Sequence, residues 1–111
     1  MQVPKDASLL RIFTGEADRH HGKPLFEAIV LKARELHLAG ATVLRGPMGF
    51  GHSSRLHTAK ILRLSEDLPI VIEIVDAEDK LRAFLSQLEG IDDLGLVTLE
   101  KVEVVHYGAR R

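Results

Sequence analysis

The chain has 111 residues, 45% hydrophobic and 28% charged, which is enough apolar content for one domain with its own core and too much for a disordered chain. Fifteen Lys and Arg against sixteen Asp and Glu leave a net charge of −1, so overall charge gives no hold on nucleic acid. Without cysteine, disulfides, thiolate metal sites and thiol nucleophiles are excluded. There is no apolar run of about 18 residues to span a membrane. The opening Met1-Gln-Val-Pro-Lys-Asp6 lacks the apolar centre of a signal peptide, and a soluble cytoplasmic protein is expected.

Ser8 to Thr14 alternates in two phases, Leu10 and Ile12 against Leu9 and Phe13, and reads as a strand. Gly15 to Gly22 is a polar connection carrying Glu16, Asp18, Arg19, His20 and His21. Pro24 suits the first turn of a helix. Leu25, Phe26, Ile29, Val30, Ala33 and Leu36 then recur at helical spacing, and Gly40 is expected to end the helix, with His37 in its last turn.

A second strand begins at Ala41 to Arg45. The stretch Arg45 to His52 holds three glycines and a proline, and Ser53 to Lys60 continues as a polar, basic segment without either period. A flexible loop over about residues 46–67 is predicted. Glycines after a strand supply backbone freedom or close approach, and exposed amides there form anion-binding concavities; a plain hairpin connection accounts for them equally. No Lys-Ser or Lys-Thr closes the stretch as in a phosphate-binding P-loop, and it lacks the dinucleotide pattern before a helix.

Pro69 opens a third strand, Ile70 to Val75, apolar on both faces except at Glu73. Asp76 is expected to cap a second helix, with Glu78 and Asp79 in its first turn where the helix dipole favours acids. Leu81, Phe84, Leu85 and Leu88 form its apolar stripe, Gly90 stops it, and Asp92 to Gly95 is a turn. The last strand runs from Gly95 to Tyr107. Its apolar phase slips from Val97/Leu99 to Val102/Val104, predicting a bulge near Glu100-Lys101.

The order β-α-β-β-α-β is the ferredoxin-like α+β arrangement, with two helices on one face of a four-stranded antiparallel sheet. A sheet face open to water would alternate apolar with polar. The doubly apolar third strand therefore predicts that the second face is covered by other subunits, unless it is a central strand with exposed valines.

The candidate chemistry lies in three groups. His20-His21 and the loop pair His52 and His57 lack a recognisable metal-ligand spacing, so no metal site is assigned. Glu73, a carboxylate in an apolar strand, is a candidate general base, but no nucleophile or second acid lies at a telling spacing; pairing with a basic group or a ligand is the plainer role. Arg45, His52, Arg55, His57 and Lys60 form a basic loop run that reads as a solvated loop or a localised phosphate contact.

Gly40-Ala-Thr-Val-Leu-Arg-Gly-Pro-Met-Gly-Phe-Gly-His52 and Leu68-Pro-Ile-Val-Ile-Glu-Ile-Val-Asp76, with Leu9-Leu-Arg-Ile-Phe-Thr-Gly-Glu16 and Gly22-Lys-Pro-Leu-Phe-Glu27, resemble the uncharacterised PII-like family of small ferredoxin-like proteins. The likeness runs from about Ser8 to Tyr107. More distantly, Gly49-Phe50-Gly51 and Leu68-Pro69 with Ile72-Glu73-Ile74-Val75 resemble the PII signalling proteins. The resemblance implies a homotrimer with sheets facing inward and an adenine nucleotide in each cleft between subunits. It also implies a non-enzymatic regulatory role, with the loop reporting to a partner such as a transporter or channel. Gly46, Met48, Gly49, Phe50, Gly51 and His52 would approach the ligand, Thr42, Glu73 and Val75 would lie at the base, and Arg45, His52, Arg55 and Lys101 would supply cations for phosphate. Two departures matter. The turn Gly90-Ile-Asp-Asp-Leu-Gly95 has two acids and no lysine, which favours AMP or ADP over ATP, and the only tyrosine, Tyr107, lies outside the loop. A metal- or ion-tolerance protein on the same scaffold, or a small enzyme with Glu73 as base, are the alternatives.

Overall fold

The computed structural model describes residues 3–50, 57–58, 67–91 and 94–108. Strand β1, Asp6–Gly15, alternates as the sequence demands: Leu10 and Ile12 are fully buried while Leu9, Arg11 and Phe13, in the opposite phase, are half-buried. A small hairpin follows, β2 (Arg19–His20) and β3 (Lys23–Pro24). Its two turn residues, His21 (φ 53°) and Gly22 (φ 82°), both take the left-handed conformation that a tight two-residue hairpin turn requires. Helix α1, Leu25–Glu35, starts directly after Pro24 and buries Leu25, Ile29 and Ala33.

The end of α1 differs from the expected stop at Gly40. The residue that turns left-handed is His37 (φ 61°). Its N–H donates to the Arg34 carbonyl and that of Leu38 to the Ala33 carbonyl, both at 3.1 Å, the paired bonds of a Schellman cap. Leu38 is buried beneath the cap, so the apolar residue that closes the helix end fixes where the chain turns, three residues before the glycine.

Strand β4 (Thr42–Arg45) leads to a short ribbon of β5 (Met48–Gly49) paired with β6 (His57–Thr58) at the base of the long loop. Strand β7 (Pro69–Asp76), helix α2 (Glu78–Ser86) and strand β8 (Val97–Glu103) complete the chain. Gly90 takes φ 91° after α2, the conformation expected of a glycine stop; Asp92 and Asp93 of the following turn lie outside the described residues. The four long strands form one antiparallel sheet in the order β4-β7-β1-β8. Both crossovers pass over one strand, and both helices lie on the face carrying Leu10, Ile12, Ile70, Ile72 and Ile74, which they cover with Leu25, Ile29, Leu81 and Phe84. This is the ferredoxin-like α+β fold.

Two expectations are corrected. The residue flanking α2 as its N-cap is Ala77, with no side-chain cap. Asp76 ends β7 instead, fully buried, its carboxylate accepting from the Ala39 and Ala77 N–H groups at 2.9 and 2.7 Å. A buried carboxylate needs such partners, and the turn after α1 supplies one. Nor is there a bulge in β8: its register with β1 is unbroken from Ile12↔Val97 to Asp6↔Glu103. The phase changes because helix cover changes. Val97 and Leu99 face the helices, whereas Lys101 in the same phase reaches Glu78 at the start of α2 (3.3 Å) and Val102 faces the other side.

Candidate functional site

The helix-free face is built from the second phase of each strand. Cross-strand register places Leu44, Val71 and Phe13 in one row, Thr42, Glu73, Arg11 and Thr98 in the next, and Val75, Leu9 and Glu100 in a third. At its centre Arg11 donates from Nε to Glu73 Oε2 (2.9 Å) and from Nη1 to Glu100 Oε1 (2.8 Å). These two carboxylates, Glu73 foremost, raise the guanidinium above its ordinary range. Glu73 is thereby fixed as an ion-paired acceptor.

Beside this cluster lies a groove of about 670 Å³, well within the range of small-molecule sites. Its apolar surface includes Val3, Leu9, Val75 and Val102. Thr42 and Glu73 border it, the turn Ala39–Ala41 forms one rim, and Glu103–Tyr107 forms the other. Asp76 stands behind the first rim by holding the Ala39 N–H, and Lys80 Nζ reaches the His37 carbonyl at 3.2 Å and the Asp76 carboxylate at 3.5 Å. Tyr107 donates its hydroxyl to the Ala39 carbonyl across the groove at 2.8 Å. Among the described lining residues there is no Lys or Arg, while Glu73 and Glu103 supply carboxylates, so the groove suits a partly apolar group that offers hydrogen-bond donors and does not suit an anion.

Of the residues singled out in the sequence, Thr42, Glu73 and Val75 converge on this groove. Arg45 lies at the other end of β4 and pairs with Glu16 at 2.6 Å. From there Gly46 and Gly49 run against Pro69: a Cβ on either would meet its ring at 3.2 and 3.0 Å. Met48 and Phe50 project into solvent, Phe50 with 68% of its surface exposed. Lys101 is on the helix side, paired with Glu78. Gly51, His52, Arg55 and Lys60 lie outside the described residues, and His57 is described only as part of β6. No three His, Asp or Glu among the described residues are placed to hold a metal ion. Sequence reasoning missed Leu9, Val102, the Ala39–Ala41 rim and Tyr107. Leu9 was accessible as the residue directly opposite Val75; the rims come together only through the tertiary fold.

A family model, DUF190, described as "Uncharacterized ACR", matches residues 7–104. A UPF0166 protein of Aquifex aeolicus (strain VF5) is 42% identical over 106 residues, covering 96% of this chain and 99% of that one. A UPF0166 protein of Methanocaldococcus jannaschii is 32% identical over 99 residues, covering 88% and 91%. Among solved structures, CPII, a nitrogen regulatory PII-like protein from Thiomonas intermedia K12 bound to ADP, AMP and bicarbonate, aligns with TM-score 0.68 and 16% identity, over 91% of this chain and 90% of that one. At that identity the likeness is one of fold.

Proposed function

We propose that this chain, which belongs to the DUF190 family, is a non-enzymatic, PII-like regulator that senses an adenine nucleotide, AMP or ADP, through the groove on its helix-free face. The observation that carries this reading is the convergence of Thr42, Glu73 and Val75, from two adjacent strands, on one groove of suitable size. Leu9, Val75 and Val102 offer an aliphatic surface to a purine. Glu73, held by Arg11 through Oε2, keeps Oε1 as an acceptor for an amine or ribose hydroxyl, and the Thr42 hydroxyl serves as donor or acceptor. With no Lys or Arg among the described lining residues, the phosphates extend beyond the groove, toward cations such as Arg45, His52 and Arg55, or toward Lys101 of a neighbouring subunit. The protein acts as a homotrimer in the cytoplasm, and the loop carries the bound state to a partner such as a membrane transporter or channel. The fold shared with CPII, itself bound to ADP and AMP, supports the nucleotide; the Arg11 pairing of Glu73 weighs against its use as a general base.

The test is calorimetric titration of AMP, ADP and ATP into the wild type and Val75→Phe, which fills the groove. AMP and ADP binding to the wild type, reduced at least tenfold in the variant, is the expected result. A wild type that binds none of the three sinks the reading, and unchanged affinity in the variant removes the base from the groove.

A further inference from the structure

The second rim of the groove is not part of the sheet. The β1/β8 ladder ends at Asp6↔Glu103, and one further backbone bond, from the Val104 N–H to the Lys5 carbonyl (2.8 Å), carries the chain past it. Residues 105–107 then leave β8 at one sheet edge and cross toward the turn that precedes β4 at the other. What fastens them there is the bond from the Tyr107 hydroxyl to the Ala39 carbonyl. The receiving side is rigid, because the Ala39 N–H is held by the fully buried Asp76 carboxylate. The arm is held in place at its far end, among the described residues, by one solvent-exposed bond, with Tyr107 42% exposed. Val105, which lines the groove, keeps 91% of its surface in water. An aliphatic side chain left uncovered beside an apolar groove gains burial when something occupies the groove.

We propose that the arm Val104–Tyr107 is a strap across the groove and that Tyr107 is its latch, a positioning residue that governs how fast ligand enters and leaves. This rests on the groove being the nucleotide site. A latch of equal strength in the free and occupied states slows entry and exit alike, so removing it changes both rates and leaves affinity nearly unaltered.

Tyr107→Phe deletes only the hydroxyl. Stopped-flow measurement with N-methylanthraniloyl-ADP is expected to show association and dissociation both about fivefold faster, the change that loss of one exposed hydrogen bond produces, with the dissociation constant within about twofold of wild type. Unchanged rates overturn the latch. Faster dissociation alone also overturns it, because the hydroxyl would then be a direct ligand contact. In ligand-free protein, NMR order parameters for the amides of residues 105–108 are expected to be high in the wild type and to fall in Tyr107→Phe. Equal values in the two proteins refute the latch whether or not nucleotide binds. A wild type with an ordered arm and no nucleotide affinity rejects the nucleotide reading and the strap's role in ligand exchange while leaving the latch itself in place.

Discussion

Gly95 illustrates how a residue can be required for reasons its neighbours in sequence do not reveal. It reads as the last residue of a turn. In the fold its N–H donates to the Phe13 carbonyl at 3.0 Å, and a Cβ there would lie 2.6 Å from that same oxygen. The obstacle is backbone in the middle of β1, which cannot swing aside as a side chain would. Gly95→Ala is expected to destabilise the protein by about 1–3 kcal/mol, in the range of overpacked sites, as read from urea denaturation; an unchanged midpoint would mean that β8 enters the sheet with more freedom than the geometry allows. His37 is the converse case. It holds φ 61° at the α1 cap, a conformation costing a non-glycine residue about 1–2 kcal/mol, against about 0.5–1 kcal/mol of extra backbone entropy for glycine. His37→Gly is expected to raise stability by about 0.5–1 kcal/mol, since its other cap contacts are made by backbone atoms.

At the scale of elements, the periodicities located both helices and all four long strands, because core-facing side chains must recur with the period of the backbone that carries them. The errors fall where one element meets another. Asp76 was legible as an acid before a helix, but its partner, the Ala39 N–H, lies on a turn 37 positions earlier. The phase change in β8 was legible too, though its cause is the limit of helix cover. The glycine stretch was the most conspicuous feature of the sequence, yet Gly46 and Gly49 meet Pro69, a contact invisible until β4 and β7 pair. Asp76→Ala leaves buried donors without an acceptor and is expected to cost about 3 kcal/mol, with Asp76→Asn losing about half as much because one acceptor remains; equal stability of both variants to wild type would show that water reaches the turn. The start of α2 offers a pH test. Arg82, and then Lys101, hold the Glu78 carboxyl below its ordinary value of 4.5. A carboxyl depressed in the folded state stabilises above its unfolded value, and that contribution is lost as pH falls through the lower folded one. Stability should therefore fall more steeply below about pH 4.5 in wild type than in Glu78→Gln, and superimposable acid limbs would remove the pairing in solution.

Among the described residues the sheet has one face under two helices and the other without a helix over it. On the open face Phe13, Val71 and Leu44 form one continuous apolar row across three strands, and Leu9, Val75 and Val102 continue the surface past the central Arg11 cluster. Such a surface costs free energy in water in proportion to its apolar area. The Arg11–Glu73–Glu100 cluster interrupts it with charges that are partly paired within the chain, one guanidinium between two carboxylates. The proposed homotrimer would bury the Phe13–Val71–Leu44 row and leave the groove open at its margin. Val71→Glu places a carboxylate between Phe13 and Leu44 while the helix-side core of Leu10, Ile12, Ile72 and Phe84 is untouched. The variant is expected to keep its fold by circular dichroism and to elute as a monomer, with light scattering giving three times the chain mass for wild type and one for the variant. A wild type that is monomeric at micromolar concentration defeats the proposal, and so does a variant that assembles as wild type does, because the apolar row would then face solvent in the working protein.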